Sequence, residues 1–361
     1  MNKLRFFLSQ SDSMKKIAKF LQFLIKKLFS LSARSADKLS TNLELLLEVE
    51  GLSGYYDKKV LCDFSGQLVI GRSHSDQFDI FLVDLRTGKE TFLTSSTAWN
   101  YQQGAMVEWF CEGKIIYNDF VKQTLCSIIL DVNTSERQII KNFPIQTKLG
   151  YKNEYLSINY NRLSKLRPDY GYTRYSKWHL NLVDENDGIW LIDNEFNNRL
   201  LISISDLKEV MNLEGNVQCK INHISSNKSG TVVLFLFRYF EEGRKISVLF
   251  SYDLTKECLK FICSGVISHY CWVDEETSVV WLRTPQGGCL ALLKPLKDEM
   301  WGNKTKISDG HPVAIGNGII IDSYSNLNNM QTIFKVSLPN LNKEPIAKLY
   351  NEPFKNVAFR C

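Results

Sequence analysis

The chain reads as an all-β protein: a β-propeller of four-stranded blades preceded by an N-terminal amphipathic α-helix. Three observations predict this. A phrase made of an apolar strand, an aspartate or similar residue, a polar turn and a second apolar strand recurs along most of the 361 residues. Paired strands precede most copies, giving four strands per unit, the content of one blade. Three histidines, His223, His269 and His311, recur in comparable settings 46 and 42 residues apart, about one blade of ~40–45 residues.

Residues 1–43 stand apart from the rest. Over 14–31, Met14, Ile17, Ala18, Leu21, Leu24, Ile25 and Leu28 follow a helical period, while Lys15, Lys16, Lys19, Lys26 and Lys27 take the other face. The stretch is too short and too charged to span a bilayer, which needs ~20 apolar residues. A secretory signal fits poorly, because two lysines follow the short apolar run and no small-residue cleavage site appears. Basic and apolar faces together suit attachment to an anionic membrane surface. A helix packed on the protein's own body, or a chain that starts at Met14, remains the alternative.

The strand–turn phrase appears at 79–88, 127–134, 188–193 and 248–255, with looser copies at 289–293 and 333–338. In Asp84-Leu85-Arg86-Thr87-Gly88 its chemistry is plain: the aspartate accepts from backbone N–H groups further along, and the glycine supplies positive φ. The paired strands lie at 55–71, 102–119, 223–239, 269–283 and 311–324. Blades therefore run at about 52–97, 98–142, 143–218, 219–263, 264–308 and 309–349, with 350–361 as the start of an incomplete blade, so seven are expected in the full family. Either a strand near 45–49 closes the ring or the chain stops short, and an open propeller exposes strand edges. The third unit is long. Its basic, aromatic stretch 161–172 does not read as strand, and 205–214 reads as a short helix; insertions of this kind are often functional.

Bulk composition narrows the function classes. At 44% hydrophobic residues the chain can bury a large core. Lys and Arg number 44 against 39 Asp and Glu, and the excess sits before residue 40. No basic stripe follows, so nucleic acid is not an expected partner. The nine cysteines include no C-x-x-C pair, which argues against a disulfide framework or structural zinc and for a reducing, cytoplasmic setting. No Gly-rich phosphate loop, H-E-x-x-H or G-x-S-x-G is present.

Candidate site residues follow from antiparallel pairing, which sets the start of a first strand beside the end of the second. His223 is thereby expected to share a rim with Arg238, His269 with Arg283, and His311 with Asp322. In the second blade Gln102 and Gln103 face Asn118 and Asp119; the first blade offers Tyr56 and Asp57, and the long insertion offers Arg167. Such a set at one channel mouth suits an anionic ligand or a divalent metal, since imidazole binds Zn, Mn, Fe, Cu or Ni and arginine pairs with carboxylates such as those of uronic acids. The competing reading is structural, with polar groups at blade entries bonding neighbouring blades. His74 and His179 are expected at the surface.

Several phrases carry a resemblance over about 51–361. Gly54-Tyr55-Tyr56-Asp57, Trp99-Asn100-Tyr101-Gln102-Gln103-Gly104, Ile115-Ile116-Tyr117-Asn118-Asp119 and the stretch 162–172 resemble bacterial propeller proteins with WD40-like repeats found with surface-polysaccharide genes. Asn222-His223, Ser268-His269-Tyr270-Cys271-Trp272, Arg283-Thr284-Pro285 and Asp309-Gly310-His311-Pro312 fit the same group. That group is more distantly similar to oligogalacturonate lyases, seven-bladed propellers that hold a divalent metal, typically manganese, on His and Gln side chains and cleave uronate-containing oligosaccharides by β-elimination. The resemblance implies His269 and His311 as metal ligands, Gln103 as a third, and His223 as general base. The metal with Arg238 or Arg283 would bind the carboxylate. The alternative expectation is a non-catalytic propeller that binds a glycan or a protein at a polysaccharide-assembly complex, peripheral on the inner membrane. The amphipathic segment favours it.

Overall fold

The structure, a computed structural model, describes residues 38–39, 58–59, 61–62, 65–140, 143–172, 184–297, 301–324 and 330–350. Among the described residues, six antiparallel sheets follow one another as the blades of a β-propeller, each built on four strands in sequence order, the last with a fifth strand added at its edge. The first is Leu61–Cys62, Gln67–His74, Gln77–Asp84 and Glu90–Ser96; the second is Glu108–Cys111, Lys114–Val121, Thr124–Asp131 and Arg137–Ile140. The third is Thr147–Lys148, Tyr155–Ile158, Gly188–Ile192 and Asn198–Ser203; the fourth is Cys219–Ser226, Val232–Glu241, Arg244–Asp253 and Cys258–Gly265. The fifth is Ile267–Trp272, Ser278–Thr284, Gly287–Leu293 and Trp301–Lys306; the sixth is Pro312–Ile315, Gly318–Asp322, Met330–Ser337 and Asn342–Tyr350. Lys38–Leu39 pairs with the outer strand of the sixth blade. The helix expected over 14–31, the strand expected near 45–49, Tyr56, Asp57, His179 and the stretch 351–361 lie outside the described residues.

By contacts the chain divides into two units. One holds the first four blades; the other holds the fifth and sixth blades with the strand at 38–39 and the hairpin tip 239–247. Each has its own sheet-on-sheet core. In the four-blade unit, Val69, Phe78 and Ile80 of the first blade pack with Val107, Trp109, Ile115 and Tyr117 of the second. In the two-blade unit, Val279, Trp281, Leu290 and Leu292 pack with Ile319, Ile321 and Val336. Val232–Glu241 is buried at its first eight positions, so it reads as a continuous apolar run, the pattern of a strand covered on both faces.

The repeated phrase is the third strand of each blade and the turn after it. Asp84 Oδ1 accepts from the Arg86 and Thr87 N–H groups at 3.0 and 2.8 Å. Asp131 accepts from Asn133 and Thr134, Asp193 from Glu195 and Asn197, and Asp253 from Thr255 and Lys256. Each aspartate satisfies donors that the turn would otherwise leave to solvent.

Polar side chains also join consecutive blades, and two expected site residues are used this way. Asn118 is fully buried, donates to the Ile145 carbonyl and the Tyr172 hydroxyl at 2.9 Å each, and accepts from the Ile145 N–H at 2.8 Å and Ser127 Oγ at 2.9 Å. Its two donors and two acceptor positions are all used. Asp119 accepts from the Thr97 N–H and hydroxyl at 2.8 and 3.0 Å. Both residues fasten the second blade to its neighbours.

The long third unit folds around a short helix, Tyr160–Leu166, whose N-terminal N–H groups are capped by Asn159. Arg162 from its first turn is buried between Asp187 at 2.5 Å and Asp184 at 2.8 Å, and also reaches the Cys219 carbonyl. A second helix, Ile204–Val210, starts on a Ser203/Asp206 capping box, at the place where a helix over 205–214 is expected.

Candidate functional site

Two of the three histidines meet. His269 and His311, from the fifth and sixth blades, stand with ring centroids 4.4 Å apart. His269 lies where the inner strand of the fifth blade slips register against the second, between Ile267 and Tyr270. Its Nδ1 is 2.8 Å from Ser268 Oγ and 3.2 Å from Asp309 Oδ1. With a carboxylate in reach the proton belongs on Nδ1, which leaves Nε2 as the lone-pair nitrogen. His311 is held in the same manner, with Nδ1 3.1 Å from Asp322 Oδ2 and its own backbone N–H on Asp322 Oδ1. Gln331 Nε2 donates to Asp322 at 3.0 Å.

The sequence between the two carboxylates explains the loop. Gly310 follows Asp309, and a Cβ there would stand 1.7 Å from the Asp322 carbonyl oxygen; only glycine lets the chain pass. Burial acts to raise the Asp322 pKa, but the hydrogen bond and charge of His311 outweigh it and hold the carboxyl below its ordinary value. The pair is thus two imidazoles anchored through Nδ1 on two carboxylates, the support that metal-ligating histidines receive. Among the described residues, no group of three or more His, Cys, Asp or Glu is disposed to hold a metal.

His223, Arg238, Arg167, Gln102 and Gln103 belong to the four-blade unit. His223 sits within the inner strand Cys219–Ser226 with φ of 52°, in the left-handed region, and its ring meets Tyr170 edge to face at 5.5 Å. Arg167 covers Tyr170 at 4.9 Å and pairs with Asp169 at 2.6 Å. The Tyr170 carbonyl accepts from Asn100 Nδ2 at 3.2 Å, and Asn100 Oδ1 in turn accepts from the Gln102 and Gln103 N–H groups. Gln103 is therefore fixed in a loop before the second blade, buried, with Oε1 lacking a protein partner. Arg238 is buried at the end of Val232–Glu241.

Two expectations about placement are corrected. His223 and His269 lie inside their first strands, not at the entries, because those strands already begin at Cys219 and Ile267. Arg283 is one residue past Leu282, the partner of Ile267, with an exposed side chain and its N–H on the Val266 carbonyl at 2.9 Å. His74 is exposed beside Asp79 at 3.5 Å, as a surface histidine. The described cysteines are free thiols, and burial pushes Cys126 up to about 11 and Cys271 to about 12, which keeps them protonated.

Sequence reasoning did not assign Asp309, Lys220 or Asn222. Asp309 could have been found from its place two residues before His311, but its partner His269 is 40 residues away. Lys220 and Asn222 alternate along a strand, which looks like any solvated face.

No family model matches the chain, and no curated protein does. Solved structures do resemble it in fold. TolB from Acinetobacter baumannii matches 81% of this chain at 12% identity and a TM-score of 0.43, with this chain spanning 65% of its length. An oligogalacturonate lyase in complex with manganese matches over 83% of this chain and 90% of its own, at 13% identity and a TM-score of 0.39. An oligogalacturonate lyase from Vibrio parahaemolyticus matches over 84% and 96%, at 13% identity and a TM-score of 0.41.

Proposed function

We propose that the protein acts on acidic, uronate-containing saccharides as a β-eliminating lyase, with a divalent metal held on the His269–His311 pair. The observation that supports this is the pair itself: two imidazoles 4.4 Å apart, each with Nδ1 on a carboxylate. Asp309 and Asp322 hold the Nδ1 protons, fix the tautomers and orient the rings, and their negative charge favours a cation above them. A divalent metal bound there would draw charge from a uronate carboxylate and acidify the C–H beside it.

The test is metal retention followed by turnover. The protein is equilibrated with Mn2+ or Zn2+, desalted and assayed for bound metal, alongside His269→Ala and His311→Ala. Acidic oligosaccharides are then followed for the absorbance of the unsaturated uronate. Retention of metal by the parent protein but not the variants, with absorbance growing only for the loaded parent, is the expected result. A second reading is a non-catalytic propeller that binds glycan, since among the described residues no group of three or more His, Cys, Asp or Glu is disposed to hold a metal. Glycan binding without retained metal and without new absorbance would establish it in place of the lyase.

A further inference from the structure

The inner strand of the fourth blade carries a buried side chain whose polar atoms have no hydrogen-bond partner among the described residues. Asn222 is 1% exposed, and neither its amide nitrogen nor its amide oxygen has a hydrogen-bond partner among the described residues. Burying an amide in that state is costly, and such groups in folded proteins are ordinarily satisfied by protein, water or ligand. Lys220, two residues earlier on the same strand and so on the same face, is 3% exposed. The antiparallel hairpin closed by the Asn227 N–H and the Val232 carbonyl returns Arg238, also buried, alongside the start of this strand.

The charge around Asn222 is positive. Burial pushes Lys220 down to about 8, and the nearby charges of Arg167 and Arg238 push in the same direction, with Asp169 and Cys219 opposing. Arg167 already pairs with Asp169, and Lys220 Nζ reaches the Leu166 carbonyl at 3.3 Å. His223, the next residue along, is in the left-handed region against Tyr170, and non-glycine residues held there concentrate at functional sites.

We infer that Asn222, Lys220 and Arg238 form a binding site for a hydroxylated carboxylate, the chemistry of a sugar acid. The two halves of the amide set the ligand. Its N–H donors, with the two cations, require an anionic oxygen; its carbonyl requires a donor, which a neighbouring hydroxyl supplies and an inorganic anion does not. The choice of a sugar acid rests on the acidic-saccharide reading above, whereas the site uses neither His269 nor His311 and needs no metal.

The experiment is calorimetric and thermal-shift titration of the full chain with D-galacturonate in the presence of a chelator, with D-galactose and inorganic phosphate as comparisons. Galacturonate is expected to bind and raise the Tm, galactose to do neither, and phosphate to bind at least about tenfold more weakly. Asn222→Leu is expected to lower galacturonate affinity by about tenfold or more, the loss typical when a site built for polar contacts is left without them. Asn222→Asp, which places a carboxylate among the cations from within the chain, is expected to raise the Tm and abolish the galacturonate response. Wild-type affinity in either variant, phosphate binding as tight as galacturonate, or loss of all binding under chelation would overturn the proposal. Chelation separates the outcomes: binding that survives it stands whatever becomes of the metal reading.

Discussion

The two histidine neighbourhoods are built on opposite charge. In the two-blade unit, His269 and His311 stand on Asp309 and Asp322, so the imidazoles present themselves above negative charge. In the four-blade unit, His223 adjoins an aromatic ring and a strand carrying Lys220, with Arg167 and Arg238 close to that lysine. One residue type in successive repeats therefore sits in two media, one suited to a cation and one to an anion. What differs is not the histidine but its surroundings: Asp322 against His311, and Tyr170 against His223 with Lys220 on the same strand.

The sharpest way to break the contrast is at its acidic side. Gly310→Ala puts a Cβ against the Asp322 carbonyl oxygen at 1.7 Å and should cost about 3 kcal/mol or more of stability, the range of a backbone clash, read by urea unfolding. Metal retention should fall with it. Next in size, Asp309→Asn and Asp322→Asn keep shape but remove charge, and each should weaken metal affinity by roughly 10- to 100-fold, read by competitive titration. Asp322 also carries a pH signature. Its folded pKa is held down against burial by His311, so its stabilisation is present above the ordinary carboxylate value of about 4 and is lost as pH falls through the lower folded value. Asp322→Asn should flatten that acid limb of the Tm profile.

At the cationic side the effects are smaller and run the other way. Lys220 is pushed down to about 8. Between that pH and about 10.4, the ordinary lysine value, the unfolded chain holds a proton that the folded chain has lost. Stability should therefore rise with pH across this window. Lys220→Met should be more stable than the parent below pH 8 and should lose the rise, read as Tm from pH 7 to 10. Smallest, Asn222→Leu should stabilise the ligand-free protein by about 1 kcal/mol, because it removes an unpaired buried amide. A loss of stability instead would mean that the amide is satisfied in solution.

Legibility in the sequence followed the range of the interaction. The turns at Asp84, Asp131, Asp193 and Asp253 were readable because donor and acceptor lie within four residues. The meeting of His311 with Asp322 was readable because the strands between them pair through the tight turn from Ile315 to Gly318. The bond from His269 to Asp309 crosses between blades, where spacing along the chain carries no information. Asn118 shows the opposite failure: a polar residue at a strand end has the same appearance whether it meets a ligand or, as here, carbonyl, hydroxyl and N–H groups of the protein. The cationic cluster was hidden for a further reason. Its polar residues alternate along a strand in the pattern that ordinarily marks the solvent side, and burial alone distinguishes them.

The pairing of Lys38 with Lys348 and Leu39 with Ala347 has a kinetic meaning. It joins positions about 300 residues apart, and closing a free loop of that length costs roughly 3 kcal/mol more than closing a ten-residue hairpin. Two residue pairs contribute too few hydrogen bonds, at about 1 kcal/mol each, to hold such a loop shut in a disordered chain. The ladder can form only after the intervening blades have shortened the path between its ends, so it belongs to the last step of folding. Backbone amides at 38–39 should accordingly exchange with solvent through small openings, long before those of Val232–Glu241, whose release requires its blade to come apart.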